Sequence, residues 1–67
     1  MTATQVIIVA WIAMGMNRKD IAARLHRTIK AVEWHCAEIE RKLGFNDPAR
    51  LTHWAISHKL VKLNQIV

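Results

Sequence analysis

Cysteine is almost missing from this chain. With Cys36 alone, no internal disulfide can form, so the cross-links that hold many small secreted domains are excluded and a reducing compartment fits. Acidic side chains are also scarce: five Asp and Glu stand against ten Lys and Arg, for a net charge of +5. That balance favours a polyanion as partner, most simply nucleic acid, although many small basic domains bind nothing. One proline and two glycines leave almost no material for linkers, and there is no repeat or low-complexity stretch. Long apolar runs are missing too. The longest, Val6 to Met14, is too short to span a bilayer and has no Lys or Arg before it. Neither a membrane span nor a signal peptide is expected, and a cytoplasmic location follows as an expectation.

What is present is apolar and helical in pattern. Hydrophobic residues make up 52% of the 67 residues, which argues for a folded chain and for one domain spanning 1–67. A chain this short buries only a modest core, so it needs compact helix packing or a partner. Four helices can be placed from their punctuation. Thr2 and Gln5 form a capping-box pattern opening a helix that runs to about Met14, where Gly15 supplies a left-handed stop. Asn17 is a good N-cap for a second, short helix ending near Leu25 or His26, with Asp20 placed to favour its positive end. Thr28 caps the third and longest helix, which ends at Gly44. Its Val32, Cys36, Ile39 and Leu43 make a buried stripe at i, i+4, i+7 and i+11. Asp47-Pro48 opens the fourth, with Leu51, Trp54, Ala55 and His58 on its inward side. No strand signal has supporting turns, so no β-wing is expected. The fold class is all-α, a compact four-helix domain.

The run from Gly15 to Gly44 reads as two helices joined by a short turn, the second basic at its head, as in a helix-turn-helix DNA reader. From Met1 to Leu60 the chain resembles the LuxR-type (GerE- or FixJ-type) helix-turn-helix domain. Thr2 keeps the threonine of the opening L-T-x-R-E, and Ile12, Ala13 and Gly15 keep the I-A-x-G ending. The family's S-N-K-E-I-A-x-x-L stands here as Asn17-Arg18-Lys19-Asp20-Ile21-Ala22-Ala23-Arg24-Leu25. Its S-x-x-T-V-[KE]-x-H is Thr28-Ile29-Lys30-Ala31-Val32-Glu33-Trp34-His35, and K-L-G-V is Lys42-Leu43-Gly44-Phe45. The departures are Thr4 and Gln5 for the early arginine and glutamate, Arg27 for an apolar turn residue, and Ala31 for a phosphate-binding threonine. Glu38 replaces a mid-helix asparagine, and Asp47-Pro48 an N-R pair. These bear on sequence preference and affinity, not on the fold.

The resemblance implies a bacterial or phage transcription regulator, with a helix-turn-helix motif over about 17–44 and helix 28–44 in the major groove. Opposite the buried stripe lie Lys30, Glu33, Trp34, Ala37 and Arg41. Lys30 can read guanine O6/N7 or neutralise a phosphate, and Glu33 can accept from cytosine N4. The alternative for both is an ordinary solvated face. Trp34 can pack beside a thymine methyl or sugar, meet a protein partner, or fold back half-buried over the helix before it. Asn17, Arg18, Lys19, Arg27 and Thr28 sit at helix starts that attract phosphates, with Arg24 and Arg41 extending the basic rim. His35 is read as a packing residue or a phosphate donor.

Catalysis and cofactors are not expected. His26, His35, His53 and His58 lack metal-ligand spacing, and no nucleophile with a positioned base, phosphate loop or carboxylate pair stands out. The first helix is apolar all round, which predicts that another protein or the Val61–Val67 tail covers Val6, Ile7, Ala10 and Met14. Larger family members carry a receiver or ligand-binding domain upstream. None precedes Met1 in this sequence, so a stand-alone domain with no built-in sensor is expected. The resemblance implies a homodimer through the fourth helix, about 48–58, where Leu51, Trp54, Ala55 and His58 would be available. The rival reading is a protein-interaction module of the same fold, binding another regulator or RNA polymerase through the first helix or Trp34.

Overall fold

The computed structural model describes residues 1–45 and 47–60. Four helices follow one another: α1 (Ala3–Ala13), α2 (Arg18–Leu25), α3 (Ile29–Leu43) and α4 (Pro48–Ser57). Their starts are those expected from the sequence. Thr2 Oγ1 accepts from the Gln5 N–H at 3.2 Å while Gln5 Oε1 accepts from the Thr2 N–H at 3.3 Å, a complete capping box. Asn17, Thr28 and Asp47 each accept from the N–H three residues on, at 2.8, 3.1 and 3.2 Å. Pro48 takes the first position of α4, where a missing N–H costs nothing.

The helices end close to where the sequence placed their stops. Gly15 adopts left-handed backbone, as expected, and Gly44 does too. So do His26 and Lys59, at φ of 54° and 59°. In α1, α2 and α4 the chain then turns back to bond the N–H of Met16, Arg27 and Leu60 to the carbonyls of Trp11, Ala22 and Ala55. Each is a Schellman-type closure that satisfies a carbonyl the helix would otherwise leave open. The expected break over Gly44–Asn46 includes Asn46, which lies outside the described residues, as does the Val61–Val67 tail.

Helix α1 is the hub. It packs most extensively against α4 and also against α3, while α2 packs on α3. The core joins Ile8, Val9 and Ala13 of α1 to Ile21, Ala22, Val32, Cys36, Ile39, Leu51 and Ala55. Much of the α1 surface expected to need another protein or the Val61–Val67 tail as cover is covered by the chain's own helices. In α1, Val6, Ala10, Trp11 and Ile12 are half-buried within the chain, and Arg24 lies over the Trp11 ring at 5.9 Å. Ile7 and, at the C-cap, Met14, each 42% exposed, remain as large outward apolar side chains there. The same packing corrects the use of Leu51 and Ala55 as dimer contacts: both are buried against the chain's own core, at 2% and 0% exposure. His58, placed on the inward side by helical spacing, is exposed instead.

Among the described residues one polar side chain is buried. Gln5 is 2% exposed, and its amide ties the start of α1 to α3. Beyond the cap, Oε1 accepts from Lys42 Nζ at 3.3 Å and Nε2 lies 3.4 Å from His35 Nδ1. Replacing this amide with an apolar side chain strands the Thr2 N–H and removes both links to α3. Gln5→Leu is therefore expected to destabilise the fold by about 1–3 kcal/mol, read by urea denaturation. His26→Gly, which relieves a left-handed non-glycine residue in the turn before α3, is expected to raise stability by about 0.5–1 kcal/mol in the same assay.

Candidate nucleic-acid interface

The turn between α2 and α3 is three residues long, His26, Arg27 and Thr28, and all three are exposed. Its left-handed closure fixes how α3 leaves α2, and the pairing of Ile21 and Ala22 with the stripe of α3 then holds the two helices as a unit. That stripe is Val32, Cys36 and Ile39, all buried, with Leu43 half-buried at its end. Because it is locked inward, the opposite side of α3 must face solvent. Lys30, Glu33, Trp34, Ala37 and Arg41 are all exposed there, as helical spacing requires.

Trp34 decides between two of its earlier readings. At 59% exposure it does not fold back over α2. Its ring instead meets His35 edge-on, with centroids 5.0 Å apart and planes at 77°. His35 is half-buried and joined to Gln5, so it packs beneath the exposed face of α3. Arg41 pairs with Glu38 one turn back along α3. The Arg41 guanidinium is exposed while Glu38 is half-buried, and an i,i+3 pair open to water on one side contributes little, so the guanidinium can turn to another anion at small cost.

The helix starts are engaged by their own caps. Asn17 and Thr28 both accept from backbone N–H groups, although the Thr28 hydroxyl keeps a proton to donate. Asp20, in the first turn of α2, opposes an anion there. Lys19, Arg24 and Arg27 are exposed. Arg18 stands apart: although exposed, its side chain lines a small hollow with Ile12, Cys36, Ile39 and Leu51, where α1, α3 and α4 meet. The structure thus brings the five residues of the α3 face together but draws Arg18 toward the helix junction.

Two features escaped the sequence reading. Ile29, at the head of α3, is 46% exposed beside the cationic turn. The other is an open groove of about 520 Å³ on the outer side of α4, lined by Phe45, Ala49, Arg50, His53, Trp54, Ser57 and His58. In it His58 stacks on Trp54, with centroids 4.1 Å apart, and its Nδ1–H donates to the Trp54 carbonyl at 2.8 Å. Arg50 is held by Asp47, Nε to Oδ1 at 3.6 Å. The spacing of Arg50, His53, Trp54 and Ser57 could have marked this outer face, since it is the complement of Leu51 and Ala55 on the same helix.

Comparison with known proteins agrees with this geometry. The profile of the bacterial regulatory proteins of the luxR family, GerE, matches residues 1–55. The chain is 35% identical over 57 residues to the Fimbriae Z protein of Salmonella typhimurium, covering 85% of this chain and 27% of that protein. It is 32% identical over 62 residues to the response regulator protein VraR of Staphylococcus aureus and of Staphylococcus saprophyticus, covering 92% of this chain and 30% of each relative. The chain thus spans less than a third of the length of these relatives. No solved structure gives a significant match. An all-α bundle with a two-helix unit at its centre, family motif blocks in order, and a profile match over most of its length place this chain in the luxR family of bacterial regulatory proteins.

Proposed function

We propose that this domain, the single unit 1–67, binds duplex DNA and regulates transcription in the bacterial or phage cytoplasm, with α3 lying in the major groove. The observation that carries the reading is the division of α3 into a face locked in the core and an opposite face of Lys30, Glu33, Trp34, Ala37 and Arg41 in solvent. Membership in a family of bacterial regulatory proteins and a net charge of +5 support it. Lys19, Arg27 and Arg24, with the Thr28 hydroxyl, would hold phosphates on either side, and Asn17 and Arg18 would contribute less, being engaged at the cap and the junction. No catalytic step and no cofactor enter this role. No helix among the described residues is long and apolar enough to cross a membrane.

We further propose that it acts as a homodimer through the outer groove of α4. Trp54 and His58 are available there, with Phe45 and Ala49, whereas Leu51 and Ala55 are not. A two-fold pairing covers the same groove twice and presents two α3 helices to half-sites about one DNA turn apart. The competing reading is a protein-interaction module of the same fold that binds another regulator or polymerase. The 59% exposure of Trp34 and the outward Ile7 and Met14 favour it.

Titrating salt against binding to random duplex DNA separates the two. DNA binding should weaken steeply as salt rises, and absence of binding at low salt leaves the interaction module. Two variants then divide the face. Lys19→Ala is expected to weaken all sequences alike and flatten the salt slope by about one unit. Lys30→Ala is expected to cost about 1–3 kcal/mol and relax preference at one base position. Losses from Lys30→Ala that are equal on every sequence would remove it from base reading.

Sedimentation equilibrium tests the assembly. A dimer at tens of micromolar on the scale of weak protein association is expected for the wild type. Trp54→Glu should dissociate it and Ile7→Glu should not. A monomeric wild type ends the dimer reading, and a dimer broken only by Ile7→Glu moves the interface to α1.

A further inference from the structure

The exposed side of α3 holds a small methyl and a large aromatic ring between its two long cations, Lys30 and Arg41. Helical rotation puts Lys30 about 20° and Trp34 about 60° around the axis from Ala37. With only a methyl at its middle, α3 can approach a groove floor closely, and the indole on its flank can reach past the backbone. That indole is 59% exposed, and the edge contact with His35 restricts where it swings. So much apolar surface in water is covered favourably only by another apolar group. In the major groove the base edges offer one, the C5 methyl of thymine.

Glu33 adds a second condition. It shares the outward face, and no ion pair to it is formed among the described residues. A carboxylate carried into the groove is repelled by phosphates, so it is tolerated where an exocyclic amino group donates to it. Cytosine N4 is the donor that suits a carboxylate.

Resting on the DNA-binding reading, we propose that the preferred half-site contains a thymine whose C5 methyl is covered by Trp34 and Ala37, adjoining a cytosine whose N4 amino group donates to Glu33. Trp34 is then a specificity-determining residue, and a methyl group is part of what it reads.

The test begins with selection of sites from a random duplex pool by the full chain. Affinity for the enriched duplex is then measured by fluorescence anisotropy. Each thymine is replaced singly by deoxyuridine, which removes the methyl and leaves base pairing unchanged. One or two positions are expected to lose about fourfold, the transfer free energy of one methylene expressed as a ratio. Trp34→Ala removes an exposed side chain, so its helical circular dichroism should match the wild type. This variant is expected to lose most of the deoxyuridine penalty, keeping only what the Ala37 methyl contributes. Glu33→Ala is expected to lose the preference for cytosine at the adjoining position.

If every deoxyuridine duplex binds as tightly as its parent, methyl reading is overturned while DNA binding stands. If Trp34→Ala keeps the whole deoxyuridine penalty, another side chain reads the methyl and the assignment falls. A cytosine preference that survives Glu33→Ala overturns the second contact. Failure to enrich any sequence, together with no salt-dependent binding to random duplex, overturns the DNA-binding reading itself and leaves Trp34 to a protein partner.

Discussion

A charge-free helix at the centre of the molecule is the constraint on which the rest depends. Residues Ala3–Ala13 carry no ionisable side chain, so α1 gains nothing from solvent on any side and must be wrapped by its neighbours. Helix α4 and helix α3 both do so, and their own apolar stripes are thereby committed inward. Once Val32, Cys36 and Ile39 are spent on that core, the outward side of α3 has no freedom left. The exposed face of α3 is a consequence of how the hub is covered.

Gln5 makes that arrangement specific. Apolar packing alone tolerates rotation and sliding of helices, whereas a buried amide is satisfied in few geometries. Here one side chain closes the cap of α1 and reaches both Lys42 and His35 across thirty or more residues of sequence. His35 in turn supports the Trp34 ring from its edge. A chain of contacts therefore runs from the buried start of α1 to the exposed indole, coupling the stability of the core to the geometry of the surface proposed to meet DNA.

The two sides of the molecule divide the work between them. The α3 side combines cations at the preceding turn with a mixed apolar and charged face, suited to phosphates first and base edges second. The α4 side combines Phe45 and Trp54 with Arg50, His53 and His58 around an open groove, and its arginine is already held by Asp47. A polar rim around an aromatic floor is the composition of a protein interface, not of a phosphate-binding surface. This separation leaves the proposed dimer groove on α4 apart from the α3 face proposed to meet DNA.

Local chemistry alone marked the helix starts, the two glycine stops and the exposed side of α3. Each depends on a few adjacent residues: a cap with the N–H three positions on, or a stripe at helical spacing. The ends near His26 and position 58 were placed, but the left-handed backbone at His26 and Lys59 was not marked, because it is imposed by closures that bring Arg27 to Ala22 and Leu60 to Ala55. Periodicity also called Leu51 and Trp54 members of one face without showing that α1 would bury the first and leave the second half in solvent. The partners of Gln5 lay equally out of reach, for nothing at positions 2–6 points to 35 or 42. What the sequence by itself determined was which residues could be helical, which could be apolar together, and which family they belong to. Tertiary structure decided which apolar side chains remain for a partner, because burial is a property of the neighbouring helices and is not encoded in the spacing of any one of them.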